Sequence, residues 1–122
     1  MSKRWLVLGF VATLAACGGD DVDPEAACNE LVEVTCAKVY ECLSSAELQT
    51  AGYPPGEPAC VSQFKVQLGC AEATVDNACD GNETYHPEEV DDCVDQNAGL
   101  SCQQVRDGTG ETPACDRICT VE

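Results

Sequence analysis

Apolar positions recur at three- and four-residue spacing from about Pro24 to Leu43, through Cys28, Leu31, Val32, Cys36, Val39 and Leu43. Glu30, Glu33, Lys38 and Glu41 fall mainly between them, which is the signature of an amphipathic helix. Asp23 followed by Pro24 suits an N-cap with proline in the first turn, and Glu25 adds acid where the helix dipole favours it. At about 100° per residue, Cys36 and Cys42 lie about 80° and about −40° from Cys28, so all three share one broad face. Ser44 and Glu47 have capping-box spacing and open a short turn of helix that Gly52 ends. Tyr53-Pro54-Pro55-Gly56 reads as a loop. A second helix is predicted from about Glu57 to Ala73, with Cys60, Val61, Phe64 and Leu68 as its stripe. A third starts near Pro87, with Glu88 and Glu89 at its positive end, Val90, Cys93 and Val94 inward and Gly99 as its stop. Asp107-Gly108-Thr109-Gly110 reads as a loop and Cys115 to Cys119 as one helical turn. No alternation argues for a sheet. The expected fold is mainly α: a small disulfide-stapled array of about three helices plus short helical turns and loops, one cysteine-rich domain over 25–122.

The start of the chain has a different pattern. Lys3-Arg4 precedes a ten-residue apolar run, Trp5 to Leu14, and small residues follow. That order describes an export signal, and the run is too short for the ~20 apolar residues that span a bilayer. Leu14-Ala15-Ala16-Cys17 resembles the lipobox of bacterial lipoproteins. The resemblance implies removal of Met1 to Ala16, a diacylglyceryl thioether on Cys17, and an acylated amine, palmitate being a typical acyl group. Gly18 to Pro24 is then a short acidic tether reaching at most ~25 Å. Gly18, in place of an Asp, implies retention in the outer rather than the inner membrane, facing the periplasm or the outside.

Cysteine usage supports the same address. Eleven cysteines are present. With Cys17 taken by lipid, the remaining ten (Cys28, Cys36, Cys42, Cys60, Cys70, Cys79, Cys93, Cys102, Cys115 and Cys119) form an even set, as a disulfide framework in an exported domain requires. No C-x-x-C pair occurs and His86 is the only histidine, which argues against zinc and against a thioredoxin-like redox site. If the first two long helices form an antiparallel hairpin, Cys42 should meet Cys60 and Cys36 should reach Cys70.

Charge narrows the partners. Beyond residue 16 there are four basic residues (Lys38, Lys65, Arg106 and Arg117) against 22 acidic ones, a formal balance of −18. Such a surface excludes nucleic acid, whose phosphates need basic contacts, and it excludes attraction to anionic lipid heads. The membrane link expected here is the N-terminal lipid alone. Outside the leader the only large aromatic hydrocarbon is Phe64, beside Tyr40, Tyr53 and Tyr85. A domain with so thin a core needs staples.

Few residues carry chemistry. Asp76, Asp80 and Gly81 match positions one, five and six of a calcium loop, but Ala78 fails position three and Pro87 stands where the bidentate Glu belongs. Asp76, Asp80 and Glu83 are therefore weak calcium candidates, set against the ordinary use of Asp, Asn and Gly in turns. Glu88, Glu89, Asp91, Asp92 and Asp95 form an acidic cluster that reads as a solvated helix face. His86 has no nucleophile motif around any serine, and Ser44, Ser45, Ser62 and Ser101 read as cap, turn or surface residues. No catalytic residue, resident metal or cofactor is implied. The layout also resembles small cysteine-rich lipoproteins of myxobacterial type, through the lipobox, the acidic tether, the early helix with Cys28, Cys36 and Cys42, and Cys115-x-x-x-Cys119. The expected role is a structural or protein-interaction module with an envelope or extracellular partner. The alternatives are a small binding protein or inhibitor presenting a loop such as Tyr53 to Gly56, and a weak calcium-binding module.

Overall fold

A computed structural model describes residues 22–121. The expected leader, the expected lipobox with Cys17 and the first part of the expected tether lie outside the described residues, as does Glu122.

The longest helix among the described residues, α1 (Pro24–Cys42), begins as its sequence dictates. The Asp23 carboxylate accepts the Ala26 N–H at 2.9 Å, and Pro24 occupies the first turn. Ser44 and Glu47 form the reciprocal capping box that opens α2 (Ser45–Ala51), and Gly52 ends that helix at φ 87°, a conformation glycine adopts without steric cost. The second long helix, α3 (Glu57–Gln67), is shorter than its apolar pattern. Gly69 takes φ 68° and stops it. Cys70–Glu72 continues only as a 3₁₀ turn, so the predicted run to Ala73 is broken. The turn redirects Cys70 onto α1.

A second 3₁₀ turn, Pro87–Glu89, leads into α4 (Val90–Ala98). Val90 and Cys93 are fully buried there, and Val94 is half-buried. α5 (Cys102–Asp107) was not anticipated, yet Ser101 and Gln104 form a capping box like that of α2. Asp107 is its last residue and Gly108, at φ 67°, its stop. α6 (Pro113–Asp116) is the expected late helical turn, but Cys119 lies outside it. Cys119 belongs instead to β2 (Cys119–Val121), which pairs antiparallel with β1 (Glu83–Tyr85) in the register Tyr85 opposite Cys119. This small sheet overturns the expectation of none. Three-residue strands are too short to show a period of two.

α1 is the hub: α3, α4, α5 and the Cys70–Glu72 turn all pack on it. The buried apolar residues are Ala27, Val32, Cys36, Val39, Cys42, Cys60, Cys70, Val90, Cys93 and Ala114. Half are cysteines, and the largest aliphatic among them is valine. The interior is thus filled by bridges rather than by Leu, Ile or Phe.

Those bridges are Cys28–Cys70, Cys36–Cys60, Cys42–Cys102, Cys79–Cys119 and Cys93–Cys115. The hairpin of α1 and α3 forms, but Cys42–Cys60 and Cys36–Cys70 do not. The Tyr40 hydroxyl donates to the Pro54 carbonyl, which sets residue 54 against residue 40 and so brings Cys60 opposite Cys36. With α2 and the loop taking up the intervening chain, α3 starts well back from the end of α1. Cys42 is left for α5.

Candidate functional site

An open cleft of roughly 240 Å³ lies between α1 and α3. The buried Cys36–Cys60 bridge is its floor, the exposed Leu68 is at its rim, and Leu31 of α1, Phe64 of α3 and Tyr53 complete the lining. Tyr53 is held edge-on between two rings: its centroid is 6.1 Å from Tyr40 and 6.0 Å from Phe64, at interplanar angles of 81° and 61°. Both are favourable aromatic geometries. The loop Tyr53 to Gly56 is accordingly clamped by its aromatic residue and by the Tyr40–Pro54 hydrogen bond rather than held out from the scaffold.

A second hollow of roughly 420 Å³ continues the cleft toward the start of α1. Leu31 and Leu68 line both. Pro24, Tyr85 and Ile118 lie at the far end. There the Tyr85 hydroxyl donates to the Val22 carbonyl at 2.8 Å. Val22 and the buried Pro24 therefore belong to the domain, and the expected tether is shorter by those residues. Burial raises the Tyr85 pKa, reinforced by the carboxylates of Asp23 and Glu88.

Leu68 was expected in the core stripe of α3. It is 64% exposed because the helix ends at Gln67 and Gly69 turns the backbone away. Val66 and Val75, at 80% and 65%, are exposed in the same stretch. The glycine after Leu68 is the signal that would have moved it from core to rim.

Elsewhere the surface is acidic and its cations are engaged. Lys65 meets Glu33 at 2.8 Å, Arg106 meets Glu47 at 3.1 Å, Arg117 meets Glu89 at 3.0 Å and Lys38 meets Glu41 at 3.6 Å. All four basic residues of the described chain thus face a carboxylate. The Glu47 carboxyl is held below its usual range, first by the Ser44 backbone N–H and then by Arg106. In the acidic cluster, Glu89 carries the Arg117 pair and Glu88 stands 3.6 Å from His86 Nδ1. Asp91, Asp92 and Asp95 are exposed.

The calcium candidates are not brought together. Among the described residues no group of three or more His, Cys, Asp or Glu side chains is arranged to hold a metal ion. Glu83 Oε1 instead accepts the Asp80 backbone N–H at 3.1 Å, and Asn77 Oδ1 accepts the Thr74 N–H at 2.7 Å. Asp76 and Asp80 are exposed. These are turn-forming contacts, with Cys79 tied to Cys119 beside them. His86 Nε2 lies 2.8 Å from Thr120 Oγ1, and the His86 backbone N–H donates to the Ile118 carbonyl at 2.7 Å. Together these contacts clasp the end of β1 to β2. Ser44 and Ser101 are helix caps.

No helix among the described residues is long and apolar enough to cross a membrane. Compared with known proteins, the chain matches no family model, no curated sequence and no solved structure.

Proposed function

We propose that this chain is a lipid-anchored protein of the bacterial cell envelope, exported by its leader, cleaved before Cys17 and acylated there. Its disulfide-stapled helical domain serves as a structural or protein-interaction module rather than an enzyme. The observation that supports this best is the closed pairing of the cysteines. Cys28 to Cys119 are joined two by two in five bridges, so none of them is left over for Cys17, the residue that the lipobox assigns to lipid. Five bridges also fit an oxidising, extracytoplasmic compartment. The acidic surface keeps the domain soluble above the membrane, and the partner is a protein of the envelope or the exterior. Gly18 supports the outer membrane as the address.

The test is the fate of Cys17→Ser. Wild-type protein should enter the detergent phase on partitioning, and its N-terminal peptide should carry the mass of the acyl groups. The variant should stay aqueous or remain unprocessed. An unmodified Cys17 thiol in the wild-type protein would end this reading. Cross-linking on intact cells followed by pull-down then identifies the partner.

A further inference from the structure

We infer that the cleft between α1 and α3 binds a linear acyl chain, and that its occupant, when the protein is away from a bilayer, is an acyl chain borne by Cys17 of the same molecule. This rests on the lipid-anchor reading above. The cleft and the adjoining hollow, roughly 240 Å³ and 420 Å³, meet at Leu31 and Leu68 and run beside α1 from Pro24 to Thr35. At 1.5 Å per residue that path is about 17 Å long. It is a trough, suited to an unbranched guest.

The lining selects the chemistry. No charged side chain lines the 240 Å³ cleft, whose polar groups are confined to Thr35 and Tyr53; in the adjoining hollow Glu72, Asn77 and Tyr85 stand beside a lining otherwise made of apolar residues and Gly69. A peptide laid there would leave backbone N–H and C=O groups without partners, at a cost in free energy. An anionic headgroup would need a cation, and Lys65, on α3, is already engaged by Glu33 at 2.8 Å. A hydrocarbon chain asks for neither. Its burial would also cover the rim at Leu68, which at 64% exposure is out of keeping with so acidic a surface.

The position of the chain selects the source. Tyr85 lines the end of the hollow away from the cleft and fixes the Val22 carbonyl there at 2.8 Å. Cys17 lies five residues earlier in the sequence. At ~3.5 Å per residue it stays within about 17 Å of that point, so its lipid is tethered within reach of the hollow. Filling the trough hides one hydrocarbon chain from water while the protein crosses an aqueous space, and a bilayer competes for the same chain on arrival.

Cells producing the full chain are fed a diazirine-bearing palmitate, and the labelled protein is photolysed in bilayer-free, detergent-free solution. Peptide mass spectrometry on a mixture of light and heavy-isotope protein separates adducts within one molecule from adducts between molecules. The expected result is label at Cys17 and intramolecular adducts on the segments around Leu31 and around Phe64 to Leu68. Leu68→Asp should lose most of these adducts. Because Leu68 is exposed, that variant keeps the fold, which its intact mass checks through five retained bridges. Adducts outside the cleft, adducts between copies, or adducts insensitive to Leu68→Asp would each overturn the inference with the lipid anchor intact. A palmitate label missing from Cys17 would overturn both.

Discussion

The Arg106 guanidinium donates to the carbonyl of Cys42, the last residue of α1. The last turn of α1 holds no basic residue of its own, so the charge that favours its negative end is supplied by α5. The same side chain reaches Glu47 of α2 at 3.1 Å. One arginine thus joins three helices next to the Cys42–Cys102 bridge. Arg106→Ala should lower stability by about 1 kcal/mol, since hydrogen bonds to charged groups are worth more than that but this pair is 43% exposed on both sides. Arg106→Lys should recover little, because an ammonium cannot present two separated donors in a plane. Urea unfolding of the oxidised protein measures both.

Disulfide mapping should return Cys28–Cys70, Cys36–Cys60, Cys42–Cys102, Cys79–Cys119 and Cys93–Cys115. Two of these nest around the α1–α3 hairpin and two nest in the C-terminal half; Cys42–Cys102, with a separation of 60, ties one half to the other. Replacing that pair by Ala should cost up to about 4 kcal/mol by loop-closure entropy. Replacing Cys93 and Cys115, with a separation of 22, should cost up to about 3 kcal/mol. Finding Cys42 joined to Cys60 would restore the tighter hairpin and contradict this structure.

The sequence showed those parts of the structure whose causes are local. The N-cap at Asp23, the capping box at Ser44 and the stop at Gly52 each depend on residues within one turn, and each is where its motif places it. Gly69 carried an equally local signal, but an unbroken apolar spacing through Leu68 and Ala73 masked it. The bridges were legible as a set and illegible as pairs. Which cysteine Cys36 meets depends on how far α2 and the proline loop set back α3, and that distance is fixed by the Tyr40–Pro54 contact across 14 residues. The cleft was legible only as an apolar stripe, since whether Leu31 and Phe64 pack shut or stand open is a matter of tertiary geometry.

Ser101 offers a direct check on the helix that periodicity did not reveal. Its hydroxyl accepts the Gln104 N–H at 3.1 Å while Gln104 returns a bond to the Ser101 N–H at 2.8 Å. Ser101→Ala should cost about 1 kcal/mol, as for other N-caps. Ser44→Ala should cost a similar amount through the equivalent box on α2. Chemical denaturation of the two single variants and the double variant should give losses that are not additive, because Arg106 of the helix that Ser101 caps bonds Glu47 of the Ser44 box at 3.1 Å and so couples the two caps.

Calcium and magnesium at equal ionic strength should raise the melting temperature equally. Among the described residues Asp76, Asp80 and Glu83 do not form a metal-holding group, and screening of the surplus carboxylates acts equally with either ion. Asp80→Asn should leave the response unchanged. A calcium-specific rise that disappears in Asp80→Asn would instead show a site completed by ion binding, which stabilises the folded state by mass action.

Alkaline pH should loosen both ends of the α1 assembly through two tyrosines. Tyr40 and Tyr85 each donate a phenolic hydrogen, one to Pro54 O and the other to Val22 O. Burial raises both pKa values above the ordinary 10.0; nearby Tyr53 and Glu57 add to the effect at Tyr40, and Asp23 and Glu88 at Tyr85. A phenol raised in the folded state contributes stability that is complete below its unfolded pKa. That contribution is lost as pH climbs through the folded pKa, because the unfolded chain then releases the proton more readily. Stability should therefore fall above the usual phenol range, while phenolate absorbance shows two rings titrating late. Tyr85→Phe should cost about 1 kcal/mol at neutral pH by leaving the Val22 carbonyl without its donor. It should also remove part of the alkaline loss, and Tyr40→Phe should remove a further part. An alkaline stability profile identical in wild type and the double variant would show that these two hydroxyls do not couple folding to pH.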